Sequence, residues 1–94
     1  MDLTRKFEKN INIVYREEDD GAFLFNPDTG NLKYMNRSGR ETFLLLSDQQ
    51  DLNQVINYMI ELFPDVNRRR IEKDMKSFIK ELEENGFLFT LDRE

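Results

Sequence analysis

Carboxylates are the most plentiful reactive groups in this sequence, with 19 Asp and Glu against no His and no Cys. Paired carboxylates can move protons. Here they fall mostly in turns or on the polar faces of expected helices, exposed to water rather than gathered in a desolvated cleft. The serines Ser38, Ser47 and Ser77 have no imidazole to activate them, and no thiolate is available as nucleophile or metal ligand. Enzymatic activity is therefore not expected. The run Glu17-Glu18-Asp19-Asp20 is dense in oxygen atoms but lacks the spaced ligand positions of a calcium loop, and it reads as a solvated turn. Neither a metal nor a cofactor is expected.

The cations tell a second story. Arg68-Arg69-Arg70 opens an expected helix, as base-reading residues do in helix-turn-helix proteins. Yet the same helix carries Glu72, Asp74, Glu81, Glu83 and Glu84, and no basic stripe is expected along its length. The whole chain has a net charge of −5, which disfavours a phosphate backbone. Three cations near a helix N-terminus also oppose its dipole. They are expected either to pair with Glu72 or Asp65 or to meet an acidic partner. A winged-helix DNA-binding regulator is the alternative reading, and no nucleic acid is expected.

Backbone groups are the remaining chemistry. Asn31-Leu32-Lys33-Tyr34-Met35 alternates polar and apolar residues and should form the third strand of a meander, and hence an edge. Edges are usually blunted by charge, Pro or a bulge. Leu32-Lys33-Tyr34-Met35 has one Lys and no Pro, so a guest strand can pair with it, using backbone hydrogen bonds for affinity and pockets for selectivity. Alternatively, Tyr34 and Met35 are core and Lys33 guards the edge. Periodicity leaves both open.

Elements must position this edge. Ile11, Ile13 and Tyr15 alternate in a first strand, and Gly21 after the acidic run is expected to supply a positive φ. Ala22-Phe23-Leu24-Phe25, apolar on both faces, is the central strand, and Asn26-Pro27-Asp28-Thr29-Gly30 turns into the third. Ser38-Gly39-Arg40-Glu41 has a capping-box pattern before a short, heavily buried helix holding Phe43-Leu44-Leu45-Leu46. Ser47-Asp48-Gln49-Gln50 is a polar linker. Asp51 caps a second helix with the stripe Leu52, Val55, Ile56, Met59 and Phe63, which Pro64 ends. Asn67 caps a third with Ile71, Met75, Phe78, Ile79 and Leu82, closed by Gly86 as a left-handed stop. Phe87-Leu88-Phe89 returns over the core.

The predicted fold class is α+β: a three-stranded antiparallel β-meander followed by three α-helices, winged helix-turn-helix-like. Residues 1–94 form one domain with an ordered core of about 11–89, and residues 1–9 and 91–94 are expected to be loose ends. Charged residues make up 35% and apolar ones only 38%, a deficit that eight Phe and three Tyr offset by burying large rings. Uninterrupted apolar runs reach four residues, too few for a membrane span, and the N-terminus lacks a signal-peptide pattern. A cytoplasmic location follows as the expectation, with no membrane partner. The open edge suggests a monomer or a weak dimer.

The order of these motifs resembles the PqqD family. Phe23-Leu24-Phe25, the Gly30 turn, a strand ending in Met35-Asn36 and then Gly39 carry the first part of the resemblance. Ile71, Asp74-Met75, Phe78-Ile79, Leu82 and Gly86-Phe87-Leu88 carry the second. Together they span residues 11–89. The sequence departs from the family in having Thr42-Phe43 where an aromatic, commonly Trp, often stands, and in the Arg68-Arg69-Arg70 run.

The resemblance implies a RiPP recognition element, a non-catalytic peptide chaperone that binds the leader of a ribosomally synthesised precursor peptide by strand addition. The partner enzyme would be a maturase such as a radical SAM enzyme, or a leader peptidase. The strand residues so implied are Leu32, Lys33, Tyr34 and Met35. The helix residues are Arg70, Ile71, Asp74, Phe78 and Glu81. A leader with an apolar anchor and an acidic flank would suit Phe78, Lys33 and Arg70.

Overall fold

The computed structural model describes residues 2–91. In chain order the elements are β1 (Phe7–Lys9), β2 (Val14–Glu18), β3 (Gly21–Asn26), β4 (Asn31–Asn36), α1 (Arg37–Ser47), α2 (Leu52–Leu62), α3 (Arg68–Glu84) and β5 (Leu88–Thr90). The three-stranded antiparallel sheet β2-β3-β4 and the three helices after it make an α+β fold. A separate two-stranded sheet joins β1 to β5.

Strand alternation decides which face of the meander meets the helices. Ala22, Leu24 and Asn26 of β3 and Met35 of β4 point inward and are buried. Phe23 pairs with Tyr34 and Phe25 with Leu32 on the opposite, solvent-facing side. The central strand is thus buried on one face, where an apolar sequence predicts two. The inner face packs on α1, whose Phe43 and Leu46 are buried, while Leu44 looks outward. Each such side chain contributes about 1.5–3 kcal/mol relative to its exposed state. The Tyr15 ring lies nearly parallel to that of Phe43, with centroids 6.2 Å apart.

The helix ends follow from local chemistry. Asp51 and Gln54 form a reciprocal capping box on α2, and the Asn67 side chain accepts from the Arg70 amide at the start of α3. On α1 the cap is Asn36, accepting from Gly39 N, in place of the Ser38 pattern; Ser38 donates its hydroxyl to the same Asn36 oxygen. Gly86 takes φ +74 after α3, and Gln49 occupies the left-handed region after α1 without being a glycine.

Gly21 is needed for a reason other than a positive φ. A Cβ there would lie 1.9 Å from the Met35 carbonyl oxygen, so only hydrogen fits between β3 and β4. At the β2–β3 turn, Arg40 donates to the carbonyls of Glu18 (3.0 Å) and Gly21 (3.3 Å).

The N-terminal segment corrects the expectation of a loose end. Phe7 is 0% exposed, within the core. The Leu52 and Asn53 amides donate to the carbonyls of Arg5 and Leu3 at 3.1 and 2.9 Å. These are orphan groups of the first turn of α2, so residues 3–7 complete the cap of that helix. Conversely, the strand expected from Ile11 begins only at Val14. Asn10 accepts from Asn12 and Ile13 in a turn that leaves Ile11 88% exposed. The apolar tail returns as β5, registered with β1 through Phe7–Thr90, Glu8–Phe89 and Lys9–Leu88. At the C-terminus, Leu91 donates its amide to Lys6 O at 3.0 Å, and the loose end expected for 92–94 lies outside the described residues.

Candidate functional site: a strand edge facing α3

Strand β4 has β3 on one side and no strand on the other among the described residues. The segment that could have covered it, β5, is paired with β1 instead. The free edge opens on a groove of about 660 Å³ between β4, the start of α1, the end of α2 and α3. Met35, Met59, Ile71 and Met75 form its buried floor. Phe78 on α3 and Phe63 after α2 stand as half-buried walls. The three methionines among the described residues, Met35, Met59 and Met75, all line this groove. Thioether side chains are flexible and polarisable, and so can adapt to differently shaped apolar guests.

Local sequence makes the opening possible. Gly39 sits where a Cβ would lie 3.3 Å from Met35 Cβ and 3.5 Å from the Phe78 ring. Pro64 ends α2 just after Phe63, so the aromatic ring sits at the helix end beside the groove. The stripe Ile71, Met75, Ile79 and Leu82 fixes the rotation of α3, which turns Asp74 and Phe78 toward β4.

Of the residues singled out from sequence, Lys33, Tyr34, Met35, Ile71, Asp74 and Phe78 line the groove. The other three, Leu32, Arg70 and Glu81, lie around it. Leu32 is 65% exposed and belongs to the outer face beside Phe25, a consequence of strand alternation. Arg70 is tied to Asp74 at 3.2 Å on the helix surface, and Arg68 to Glu72 at the same distance. Glu81 forms an ion pair with Lys33 across the gap between α3 and β4. Tyr34 contributes its main chain to the rim while its ring leans on Phe23 at 5.2 Å, on the outer face. Met35 is core, as one of the two open readings has it, and Tyr34 is not.

Sequence reasoning did not connect Met59, Phe63, Val66, Ser38, Gly39 and Thr42 with the groove. Met59 and Phe63 continue the α2 stripe at i, i+4 and look like ordinary core. Only the end of α2 at Pro64 hints that Phe63 lies at an opening.

The site offers polar groups for binding above an apolar floor. The polar groups that line the groove are strand amides and carbonyls, the Lys33 ammonium, the Asn36 amide, the Ser38 and Thr42 hydroxyls and the Asp74 carboxylate. Away from the groove, Tyr15 holds its proton more tightly than usual. Burial, helped by its hydrogen bond to Glu17, raises its pKa above 10.0. No group of three or more acidic side chains converges as a metal cluster among the described residues. No described helix is long and apolar enough to cross a membrane.

A three-stranded antiparallel sheet with three following helices and one free edge turned toward the last helix defines a small α+β domain of the winged-helix-like class. Residues 21–88 match the family described as coenzyme PQQ synthesis protein D (PqqD), and the chain belongs to that family. No curated protein matches it in sequence. Among solved structures, "TbiB1 in Complex with the TbiA(beta) Leader Peptide" superposes with a TM-score of 0.78 at 20% identity, over 86% of this chain and 93% of that one. "Lasso peptide synthetase B1 complexed with the leader peptide" gives 0.77 at 21% identity, over 89% and 98%. At these identities the likeness is one of fold.

Proposed function

We propose that this protein is a non-catalytic RiPP recognition element. It captures the leader of a ribosomally made precursor as a strand added to β4, and presents the precursor to a modifying enzyme. The observation that carries this reading is the uncovered β4 edge lying along an apolar groove walled by α3. An added strand satisfies main-chain groups at the edge, and alternate side chains enter the groove. The Met-lined floor suits an aliphatic or aromatic anchor.

Family membership supports the same reading, as do two similar folds, both described as complexes with leader peptides. The chemistry belongs on the partner enzyme, a radical SAM maturase or a leader peptidase. We place both proteins in the cytoplasm, where a precursor is made. The single domain comprises residues 1–94, and the strand and helix residues named above form its binding face.

The test is a titration of isotope-labelled protein with the leader of its cognate precursor. Affinity in the micromolar range or tighter, about −8 kcal/mol, is expected. Amide shifts should concentrate at residues 32–36, 39 and 71–78. Shifts confined to α2 or to the outer sheet face would contradict the reading.

A further inference from the structure

The solvent side of α3 carries a charge arrangement that its mixed composition conceals. Arg69, Lys73, Lys76 and Lys80 are spaced by four, three and four residues, and all are exposed. At 3.6 residues per turn they fall within an arc of about 60° and extend over roughly 16 Å. A basic stripe therefore runs along the helix, contrary to the expectation drawn from its acidic content. The acids are engaged elsewhere: Glu72 with Arg68, Asp74 with Arg70, Glu81 with Lys33 and Glu83 with Arg5. Glu84 is left at the far end. None of the four stripe cations makes an ion pair among the described residues.

Unneutralised like charges at i, i+3 and i, i+4 weaken a helix, so folding alone gives no reason for them. Beside the stripe, Leu3 with Glu72, Lys73 and Lys76 lines a shallow depression of about 350 Å³. Phe78 and Asp74, which face the groove, lie roughly 130–170° around the helix from the stripe. A peptide in the groove thus leaves the stripe open.

We infer that this face docks an acidic surface of a second protein while the groove is occupied. The complementary surface presents carboxylates over three helical turns, with one apolar side chain seated against Leu3. Resting on the function proposed above, that protein is the enzyme to which the leader is delivered. A nucleic acid fits less well. Leu3 beside Lys73 and Lys76 offers an apolar contact that a polyphosphate backbone leaves unused, while the net charge of −5 opposes every polyanion alike.

The probe is acetyl-decaglutamate-amide, titrated into isotope-labelled protein at 20 and 150 mM NaCl. Shifts are expected along Arg69–Lys80 and not at Met35 or Gly39, with at least fivefold weaker binding at the higher salt. The double variant Lys73→Glu/Lys76→Glu should lose the response while keeping the thermal midpoint and the leader affinity. The inference is overturned by shifts spread evenly over other surface cations, or by an unchanged response in the variant. It also falls if a 20-base-pair duplex binds the stripe more tightly than decaglutamate, or if salt-sensitive self-association disappears in the variant. A stripe response in a protein that binds no leader would sink the proposed function and leave the stripe assignment standing.

Discussion

Lys33 on the free strand β4 pairs with Glu81 on α3, and its ammonium lies 5.7 Å from the centre of the Phe78 ring. The Lys33 side chain is only 18% exposed, so its stem packs in the groove while its charge reaches the helix. This pair is a direct polar tie between the strand edge and the wall that faces it, and Asn31 adds a second by donating to Asn85 at the end of α3 at 3.1 Å. It fixes the gap that a guest strand must enter.

Glu81 is more exposed than Lys33, so the pair should be worth about 0.2–1 kcal/mol after solvent screening. A double-mutant cycle of Lys33→Met and Glu81→Gln, followed by urea denaturation, should return a coupling in that range. The same variants should change leader affinity by more than they change stability, because they release Phe78 and reset the groove. Equal effects on both would mean that the pair has no part in the site.

Gly39 keeps the groove open. In Gly39→Val the new side chain meets Met35, Asn36 and Phe78, and it occupies space meant for a guest. Calorimetric titration should show leader affinity falling about tenfold or more, or roughly 1.4 kcal/mol. The far-UV spectrum should be unchanged, since Val has a somewhat higher helix propensity than Gly.

Phe7 anchors the N-terminal strap. Phe7→Ala should cost about 3–5 kcal/mol in chemical denaturation, as large-to-small changes in a closed core do. Removing the strap should also speed exchange of the Leu52 and Asn53 amides, which would lose their carbonyl acceptors. An N-terminus that behaved as a loose end would show neither effect.

Tyr15 gives a pH prediction with a definite sign. Its folded pKa is raised, by burial first and by the Glu17 contact second, so the folded state holds the phenol proton more tightly than the unfolded chain does. That contribution is complete below pH 10 and is lost as pH climbs through the raised value. Stability measured from pH 9 to 11 should therefore fall in the native protein and fall less in Tyr15→Phe. Identical curves would show that Tyr15 is not the group responsible.

Much of this fold is legible before any coordinates. Asp51 and Asn67 mark two helix starts, Pro64 and Gly86 mark two ends, and the periods of two and 3.6 separate sheet from helices. The misses have separate causes. Phe7 and the β1–β5 pair are short segments far apart in sequence, and three-residue strands carry too little periodicity to announce themselves. Ile11 looks like a strand residue, yet Asn10 draws the chain into a turn through local hydrogen bonds. Ser38 fits a capping pattern, but Asn36 sits where β4 ends and takes that role.

The candidate site was legible as an edge and a facing helix, and less so as a pocket. Strand period marks Lys33 and Met35 as edge residues and helix period puts Ile71 and Phe78 on one stripe, but their joining in a site comes from the family resemblance. Met59, Phe63 and Gly39 become groove residues only when α1 and α2 pack against β4, a relation that no local pattern contains. Leu32 illustrates the converse, since adjacency along an edge strand puts neighbours on opposite faces.

Hydrogen exchange of the β4 amides, with and without the cognate leader, tests the central claim most directly. Strand addition predicts that amides of Asn31–Asn36 pointing away from β3 exchange fast in the free protein and become strongly protected in the complex, while the outer edge of β2 is unchanged. Protection that appears on β2 or α2, with the free side of β4 still exchanging fast, would contradict it.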